Sequence, residues 1–282
     1  MPVLNGAKHI RAQLEALEFQ RYSGPWEVVV VDNGSTDGTP DVVREVQASM
    51  PNLTLVEEPR RGIGRARNKG VDASSGDWLL FVDADDVVAE GWMEAMVAAL
   101  THHPFVCGAV DGAQLNEGAA ARFNPFAAPE DEGPRKAFDF LPFAPTGNLG
   151  IWRSAFEDVG GFQRLSGSGS DVDLSWRLLL AGYELRFVPD AVIYYRYRES
   201  VGATLRQSMF YAEAHPYLYS RFGPHGMPRR ALRDAVGEIQ RLAKLGIRMP
   251  DLSARRREQW LRDVGNVLGR LKGSLRYRTL YV

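Results

Sequence analysis

The chain has 282 residues, 45% of them hydrophobic and 24% charged, as expected for a globular protein with a large core. Its single cysteine, Cys107, excludes an internal disulfide and a cysteine-based metal site, and it favours a reducing compartment such as the cytoplasm. No apolar run reaches the ~18 residues of a membrane span, and no export signal is visible.

The net charge of -1 hides an asymmetry between the two parts of the chain. Residues 196–282 carry 18 basic and 7 acidic side chains, whereas residues 1–195 carry 16 basic and 28 acidic ones. An acidic body suits a site that collects metal ions, and a basic tail suits an anionic surface. An equal alternative for the tail is a solvated helical face docked on the acidic region.

Helix and strand patterns alternate along the first half of the chain. Helical spacing occurs over 10–17, 39–46 and 66–73, and strand patterns occur over 26–31, 53–56 and 78–82. This order predicts an α/β fold with a mostly parallel twisted sheet flanked by helices, as in Rossmann-like proteins. Residues 1–6 supply only the end of the usual first strand. We therefore expect a truncated strand, with lower stability or weaker nucleotide binding than in an extended version.

The second half of the chain is less regular. Residues 111–137 are rich in Gly, Ala, Pro, Asn and acids, which predicts a mobile loop. A helix is predicted over 170–181, and strands are predicted over 148–152, 184–188 and 191–195. We divide the chain into a catalytic domain, 1–196, and a basic helical C-terminal extension, 197–282.

Two aspartates follow the apolar strand that ends at Val82. Asp83 and Asp85 are two positions apart in an extended segment, so their side chains project to the same side. Two close carboxylates repel each other unless a cation lies between them. Mg²⁺ or Mn²⁺ meets this need, since both take oxygen ligands and bridge to diphosphates. The alternative is a plain acidic turn.

A second polar turn, which begins with Asp32 and Asn33, follows the strand over residues 26–31. Ligands of open α/β sheets bind beyond the carboxyl ends of the strands, where a carboxylate accepts hydrogen bonds from a ribose or a base. An Asx turn that leads into a helix explains the same residues equally well.

A third motif lies at the predicted start of the helix over residues 170–181. Ser170 can cap the helix, which leaves Asp171 in the first turn. The positive end of the helix keeps such a carboxylate ionised, as a general base for a hydroxyl must be. The alternative is a surface acid that compensates the helix dipole. Asp173 and Arg177 are spaced as a structural ion pair.

Gly62, Gly64 and Arg67 resemble a dinucleotide-binding fingerprint, but the third glycine is missing and no buried strand ends directly before them. Arg65 and Arg67, near a helix start, suit a phosphate contact instead. Surface salt bridges are an equal alternative for these two arginines.

Together, the motifs resemble glycosyltransferase family 2, a family of inverting enzymes with the A-type nucleotide-sugar transferase fold. The matching segments occur in family order at residues 2–6, 30–39, 64–70, 83–85, 147–148 with 160–162, and 170–174 with 177–178 and 181–183. One motif departs from the family: Ser170 stands where a glutamate usually precedes the base, which puts part of the acceptor contact in doubt.

The resemblance implies a role for each motif. Asp32 and Asn33 would contact the nucleotide, Asp83 the ribose or diphosphate, and Asp85 the metal, while Asp171 would be the base. Donor contacts are also expected from Gly147, Asn148, Arg65 and Arg67. The donor would be a nucleotide sugar, with UDP favoured by the family. The acceptor would be a glycan, a lipid-linked molecule or a small molecule.

Three other functions fit parts of the sequence. A haloacid-dehalogenase-type phosphatase would use Asp83 and Asp85, but it places that strand at the start of its domain. A non-catalytic nucleotide-sugar-binding module would use the same turns without a base. A nucleotidyltransferase would need a phosphate-binding glycine loop with a lysine after the first strand, which the chain lacks.

The basic tail predicts further partners. Leucines and a valine of residues 261–275 share one helical face, so we expect peripheral binding to an anionic membrane, at the inner face of the cell membrane. A homodimer interface or a lid on the catalytic domain is an equal alternative. We expect no nucleic-acid partner.

Overall fold

The computed structural model describes residues 1–116, 133–163, 168–197, 201–248 and 253–281. These residues form two compact units. The first runs from residue 1 to residue 197, without 138–140 and 168–169, and the second comprises those two stretches with residues 201–281. The chain therefore leaves the first unit one residue after the predicted end of the catalytic domain.

Strands and helices alternate in the first unit. The strands are β1 (Pro2–Val3), β2 (Val28–Asp32), β3 (Leu53–Glu57), β4 (Trp78–Val82), β5 (Val87–Val88), β6 (Phe105–Asp111), β7 (Lys136–Ala137), β8 (Leu141–Pro142), β9 (Asn148–Trp152) and β10 (Arg186–Tyr194). The helices are α1 (Ile10–Glu18), α2 (Thr39–Gln47), α3 (Ile63–Asp72), α4 (Trp92–Leu100), α5 (Arg153–Asp158) and α6 (Ser170–Leu180).

The strands form two main sheets and one small ribbon. Strands β1, β2 and β3 are parallel, whereas the five-stranded sheet has the order β4-β9-β6-β10-β5. In that second sheet only β6 and β10 run parallel, and β9 lies antiparallel between β4 and β6. The α/β fold is confirmed, but the sheet is mixed rather than mostly parallel, because the chain returns through β9 between two earlier strands.

Both faces of the five-stranded sheet are covered by apolar side chains. On β4, Leu79 and Phe81 join the core with α5 and α6, whereas Val82 belongs to the core with α1, α2 and α4. On β6, Val106 likewise points away from its neighbours Phe105 and Cys107. This alternation follows from the two-residue period of a strand and explains why both strands read as continuous apolar runs.

Two sequence predictions need correction or restriction, and a third is confirmed. The two strands expected over 184–188 and 191–195 are one strand, β10, whose register shifts between Val188 and Val192, on either side of Pro189. In the segment expected to be a loop, Asp111 belongs to β6 and residues 136–137 form β7, while 117–132 lie outside the described residues. The first strand is short, as expected, with two residues.

The second unit is helical in the part that the structure describes. It contains α7 (Val201–Ala212), α8 (His215–Phe222), a 3₁₀ turn (Gly223–His225), α9 (Leu232–Ile247) and α10 (Ala254–Arg276). No helix among the described residues is both long and apolar enough to cross a membrane.

Helices α7 and α10 pack closely because three glycines of α10 face the backbone of α7. Gly265, Gly269 and Gly273 are spaced four residues apart, so they share one side of the helix. A Cβ at residue 265 would lie 2.8 Å from the carbonyl oxygen of Leu205, and a Cβ at either of the other two would overlap a carbonyl oxygen of residue 209 or 213. Only glycine allows this approach of the two helices.

Candidate active site

The turn after β4 presents two of its three carboxylates to solvent. Asp83 and Asp85 are half-buried, whereas Ala84 and Asp86 between and after them are buried. The two predicted metal ligands are thus the accessible acids of the turn, as their spacing indicated. The buried amide of Gln13 holds this turn, because it donates to the carbonyl oxygen of Asp83 (3.1 Å) and accepts from the Val88 N–H (2.9 Å).

Asp86 is a buried carboxylate that the sequence analysis left without a role. One of its oxygens accepts a hydrogen bond of 3.0 Å from the backbone N–H of Arg196. Burial first, and then repulsion by Asp83 and Asp85, raise its pKa to about 8. Three carboxylates therefore lie close together in this turn, and a cation beside them would relieve their mutual repulsion.

Gly147 lies against the same acids. A Cβ at this position would be 3.2 Å from Oδ2 of Asp83 and 3.5 Å from Oδ2 of Asp86. The glycine leaves space beside the carboxylates that any side chain would fill. The donors here are carboxylate oxygens, which Mg²⁺ and Mn²⁺ prefer, so the residues fit such an ion. Among the described residues no cluster of three His, Cys, Asp or Glu forms a complete metal cage, so further ligands would come from substrate and water.

Arg67 connects the acidic turn to the start of α6. Its guanidinium is almost completely buried, donates to Asp83 (3.0 Å) and to the hydroxyl of Ser170 (3.4 Å), and lies 5.5 Å from the ring centre of Phe162. From the sequence, Arg67 is predicted to make a phosphate contact or a surface salt bridge. The structure instead gives Arg67 a buried bridging role, because α3 packs beside β2 and directs the side chain inward.

Asp171 stands in the first turn of α6, next to Ser170. Burial raises its pKa, while the N–H of Val172 (2.9 Å) and the charge of Arg67 lower it and the charge of Asp83 raises it further. Burial is the largest of these effects and leaves the pKa of Asp171 above its usual range. A carboxylate with a raised pKa accepts a proton more readily, which suits a general base.

Asp173 and Arg177 form the structural ion pair that their spacing predicts. The two side chains are buried and lie 2.7 Å apart, and the guanidinium also donates to the carbonyl oxygen of Gly161 (2.7 Å). This pair fixes α6 to the turn that precedes Phe162, and it leaves Asp171 as the accessible acid of the helix start.

Asp32 ends β2 and accepts hydrogen bonds from the N–H of Ser35, three residues on, at 3.2 and 3.3 Å. The Asx turn that leads into α2 is made by Asp37, which accepts from the Thr39 N–H (3.0 Å). The side chain of Asn33 is fully used by the protein: it donates to the carbonyl oxygens of Glu58 (2.7 Å) and Arg60 (3.0 Å) and accepts from the Gly62 N–H (2.8 Å). Asn33 therefore holds the segment leading to α3 rather than offering its amide to a donor.

Asn148 also has a framework role in place of the predicted donor contact. Its side chain is fully buried, accepts from the indole N–H of Trp92 (2.8 Å) and donates to the carbonyl oxygens of Ala109 and Ala191 (both 2.8 Å). Both ends of the amide bond to the protein and the side chain is fully buried, so Asn148 supports the framework of the site. Arg65 is half-buried on the first turn of α3, where its charge helps to lower the pKa of Glu58.

Arg196 is a site residue that the sequence analysis missed. It follows β10, and its Nε donates to the carbonyl oxygen of Asp85 (3.1 Å) while its N–H holds Asp86. The guanidinium therefore lies beside the accessible acids. The available signal was its position beyond the carboxyl end of a strand that runs parallel to its neighbour.

Comparison with known proteins identifies the fold and the family. The sequence profile described as glycosyl transferase family 2 matches residues 1–160. The chain belongs to glycosyltransferase family 2. It is 36% identical over 197 residues to the glycosyltransferase AglE of Haloferax volcanii, covering 68% of this chain and 64% of that protein. It is 29% identical over 222 residues to the pre-mycofactocin glycosyltransferase of Mycobacterium tuberculosis, covering 75% and 45%. The chain thus spans about half to two thirds of these relatives.

Solved structures of other glycosyltransferases share the fold. A mannosyltransferase of Pyrobaculum calidifontis, in complex with GDP-Man and Mn²⁺, superimposes with a TM-score of 0.64 at 21% identity, covering 96% of this chain and 85% of that chain. Residues 1–349 of S. aureus TarS, in complex with UDP-GlcNAc, give a TM-score of 0.57 at 18% identity, covering 100% and 91%. Family and fold leave no support for the phosphatase or the nucleotidyltransferase.

Proposed function

We infer that this glycosyltransferase moves a sugar from a nucleotide diphosphate, UDP by preference, to a hydroxyl acceptor with inversion at the anomeric carbon. One observation carries this inference: Arg67 contacts both Asp83 and Ser170, the residue before Asp171. The acids assigned to the donor and the acid assigned to the acceptor therefore belong to one site. A single displacement requires this proximity, because the acceptor oxygen must reach the donor carbon.

Asp85 and Asp83 would hold Mg²⁺ or Mn²⁺ together with oxygens of the donor diphosphate. The proximity of the three carboxylates and the space that Gly147 leaves beside two of them support a cation here. Such an ion supplies Lewis-acid stabilisation of the negative charge on the departing diphosphate. Arg196, at the same turn, and Arg65, on α3, are the side chains we assign to the diphosphate oxygens.

Asp171 would act as the general base. Its carboxylate takes the proton of the acceptor hydroxyl, and the oxygen forms a bond to the anomeric carbon. The bond from that carbon to the diphosphate oxygen breaks, and its electron pair leaves with the nucleotide diphosphate. The raised pKa of Asp171 favours the proton transfer, while the charge of Arg67 limits how far that pKa rises.

The base and ribose of the nucleotide would lie near Asp32, at the carboxyl end of β2. The resemblance favours UDP, while one solved neighbour holds GDP-Man and another holds UDP-GlcNAc. A thermal-shift panel of UDP, GDP and their sugars, with and without Mn²⁺, tests the choice. Stabilisation by GDP compounds alone would replace UDP in the proposal.

The base assignment is tested by Asp171→Asn. We expect this variant to lose transfer while it binds the donor with unchanged affinity, because only the proton acceptor is removed. Asp41→Asn is the matched control, since Asp41 is an exposed acid in the first turn of α2. Full transfer by the Asp171 variant would refute the assignment. Donor binding by the natural chain without any transfer would support the non-catalytic binding module.

A further inference from the structure

Helix α9 exposes an apolar stripe in the second unit. Leu232, Val236, Ile239 and Ile247 are 55%, 53%, 49% and 84% exposed. At about 100° per residue these four side chains fall within an arc of about 80° on the helix. Isolated exposed leucines are common, but four large apolar side chains on one narrow face of one helix indicate an interaction surface.

One edge of this stripe is packed and the other is cationic. On the packed edge, the carbonyl oxygen of Leu242 accepts from the indole N–H of Trp260 (2.8 Å), and Gly246 lies against the same ring. Beyond the other edge, exposed Arg233 and Lys244 lie about 80° and 100° from the centre of the stripe, and exposed Arg248 and Arg241 lie farther round the helix, at about 140° and 160°. Arg233 is 3.7 Å from Asp234 and Arg241 is 3.9 Å from Asp263, so part of this charge is paired. The helix therefore has its apolar face between a protein contact and a row of positive charge.

The exposed apolar surface that the sequence predicts on α10 is larger on α9. Leu268 and Leu271 of α10 are 42% and 43% exposed, and Leu275 is 83% exposed, so the predicted stripe is only partly open. Helix α10 also packs on α7 along its glycines and on α9 through Trp260. Helix α9 offers the larger continuous exposed face of the two.

We propose that α9 lies in the interface of an anionic lipid bilayer, with its apolar stripe inserted among the acyl chains and its cations at lipid phosphates. Long basic side chains beside an apolar face reach the headgroups of such a surface. A second copy of the chain fits less well. In an antiparallel two-fold pairing of two α9 helices, the cationic edges would lie side by side and repel.

Co-flotation of the full chain with vesicles tests this interface. We expect binding to phosphatidylcholine vesicles that contain 30% phosphatidylglycerol, and little binding to phosphatidylcholine alone. Val236→Asp with Ile239→Asp should lower the affinity more than tenfold. Lys244→Gln with Arg248→Gln should lower it about 25-fold at low salt, since each cation near an anionic surface contributes about fivefold, and this loss should shrink at high salt.

Phe19→Asp is the matched control, because Phe19 is 78% exposed at the end of α1 in the other unit. It should leave vesicle binding unchanged, and all variants should keep the helical circular dichroism of the natural chain. Equal binding by the α9 variants would refute the interface. A second result would also refute the interface: the natural chain does not bind vesicles, it forms a dimer in light scattering, and the α9 substitutions dissociate that dimer. Because binding is measured without donor, loss of transfer activity does not affect the outcome.

Discussion

Replacement of Arg67 by methionine tests the link between the two halves of the site. The change removes a charged hydrogen bond to Asp83, a bond to Ser170 and the contact with Phe162. Breaking a fully buried ion pair costs about 3–5 kcal/mol. Asp83 is 32% exposed and regains some hydration, so we expect a loss of about 2–4 kcal/mol in unfolding free energy.

For a unit of this size, that loss lowers the melting temperature by about 4–16 °C. The pH dependence of activity should change as well. Arg67 lowers the pKa of Asp171, so its removal raises that pKa. The base must be ionised, and the acid limb of kcat/KM should therefore move to higher pH. Arg67→Lys keeps the charge and should shift the limb less, although one ammonium cannot reach both partners.

Arg153→Met provides the matched control. Arg153 donates to the carbonyl oxygens of Val71, Gly76 and Ser74, so it is also a well-bonded arginine of the first unit. Its replacement should lower the melting temperature without moving the pH profile. An Arg67→Met enzyme with an unchanged acid limb and unchanged affinity for nucleotide diphosphate would refute the linkage that we derive from the structure.

Three further predictions concern other positions. Gly147→Val should weaken the binding of Mn²⁺ and of nucleotide diphosphate, as measured by calorimetry, because the valine side chain fills the space beside Asp83. The melting temperature should change little. Unchanged affinities would contradict this prediction. Gly269→Ala should destabilise by about 1–3 kcal/mol in urea unfolding through overlap with α7, whereas Gly237→Ala, on open helix surface, should be neutral or stabilising. Burial, together with the charges of Arg270 and Arg230, lowers the pKa of His215 to about 3. The contribution of His215 to the free energy of unfolding is therefore fully present above pH 6.5. It is lost between pH 6.5 and 3, because there the unfolded chain binds a proton that the folded chain does not. His215→Gln should remove that part of the pH dependence of the melting temperature, and an identical dependence in both proteins would refute it.

The sequence predicts well those features that depend on neighbours along the chain. The apolar runs of β2 and β4, the i, i+4 pair of Asp173 with Arg177, and the common orientation of Asp83 and Asp85 all follow from the periods of strand and helix. The helix also begins at Ser170, where the sequence predicts it, and the Ser170 hydroxyl accepts a hydrogen bond from Arg67. These local rules are enough to single out Asp83, Asp85 and Asp171 as candidates for the site.

Contacts between distant residues were not predictable in this way. Arg67 and Ser170 are 103 positions apart, and nothing local distinguishes an arginine that binds phosphate from one that is buried beneath an aspartate. Asn33 and Asn148 follow or begin strands as ligand-binding residues do, yet their amides bond to backbone atoms brought together by the tertiary fold. The antiparallel course of β9 is likewise set by its partners, since its sequence resembles that of a parallel strand.

The glycine contact between α7 and α10 has a consequence for synthesis on the ribosome. Helix α7 emerges directly after the first unit, but the surface that receives it belongs to residues 265–273, which are made some fifty residues later. Until then α7 lacks its main partner, and a 12-residue helix alone is only marginally stable in water. The second unit should therefore gain its protection from proteolysis late, in one step, when α10 has left the exit tunnel.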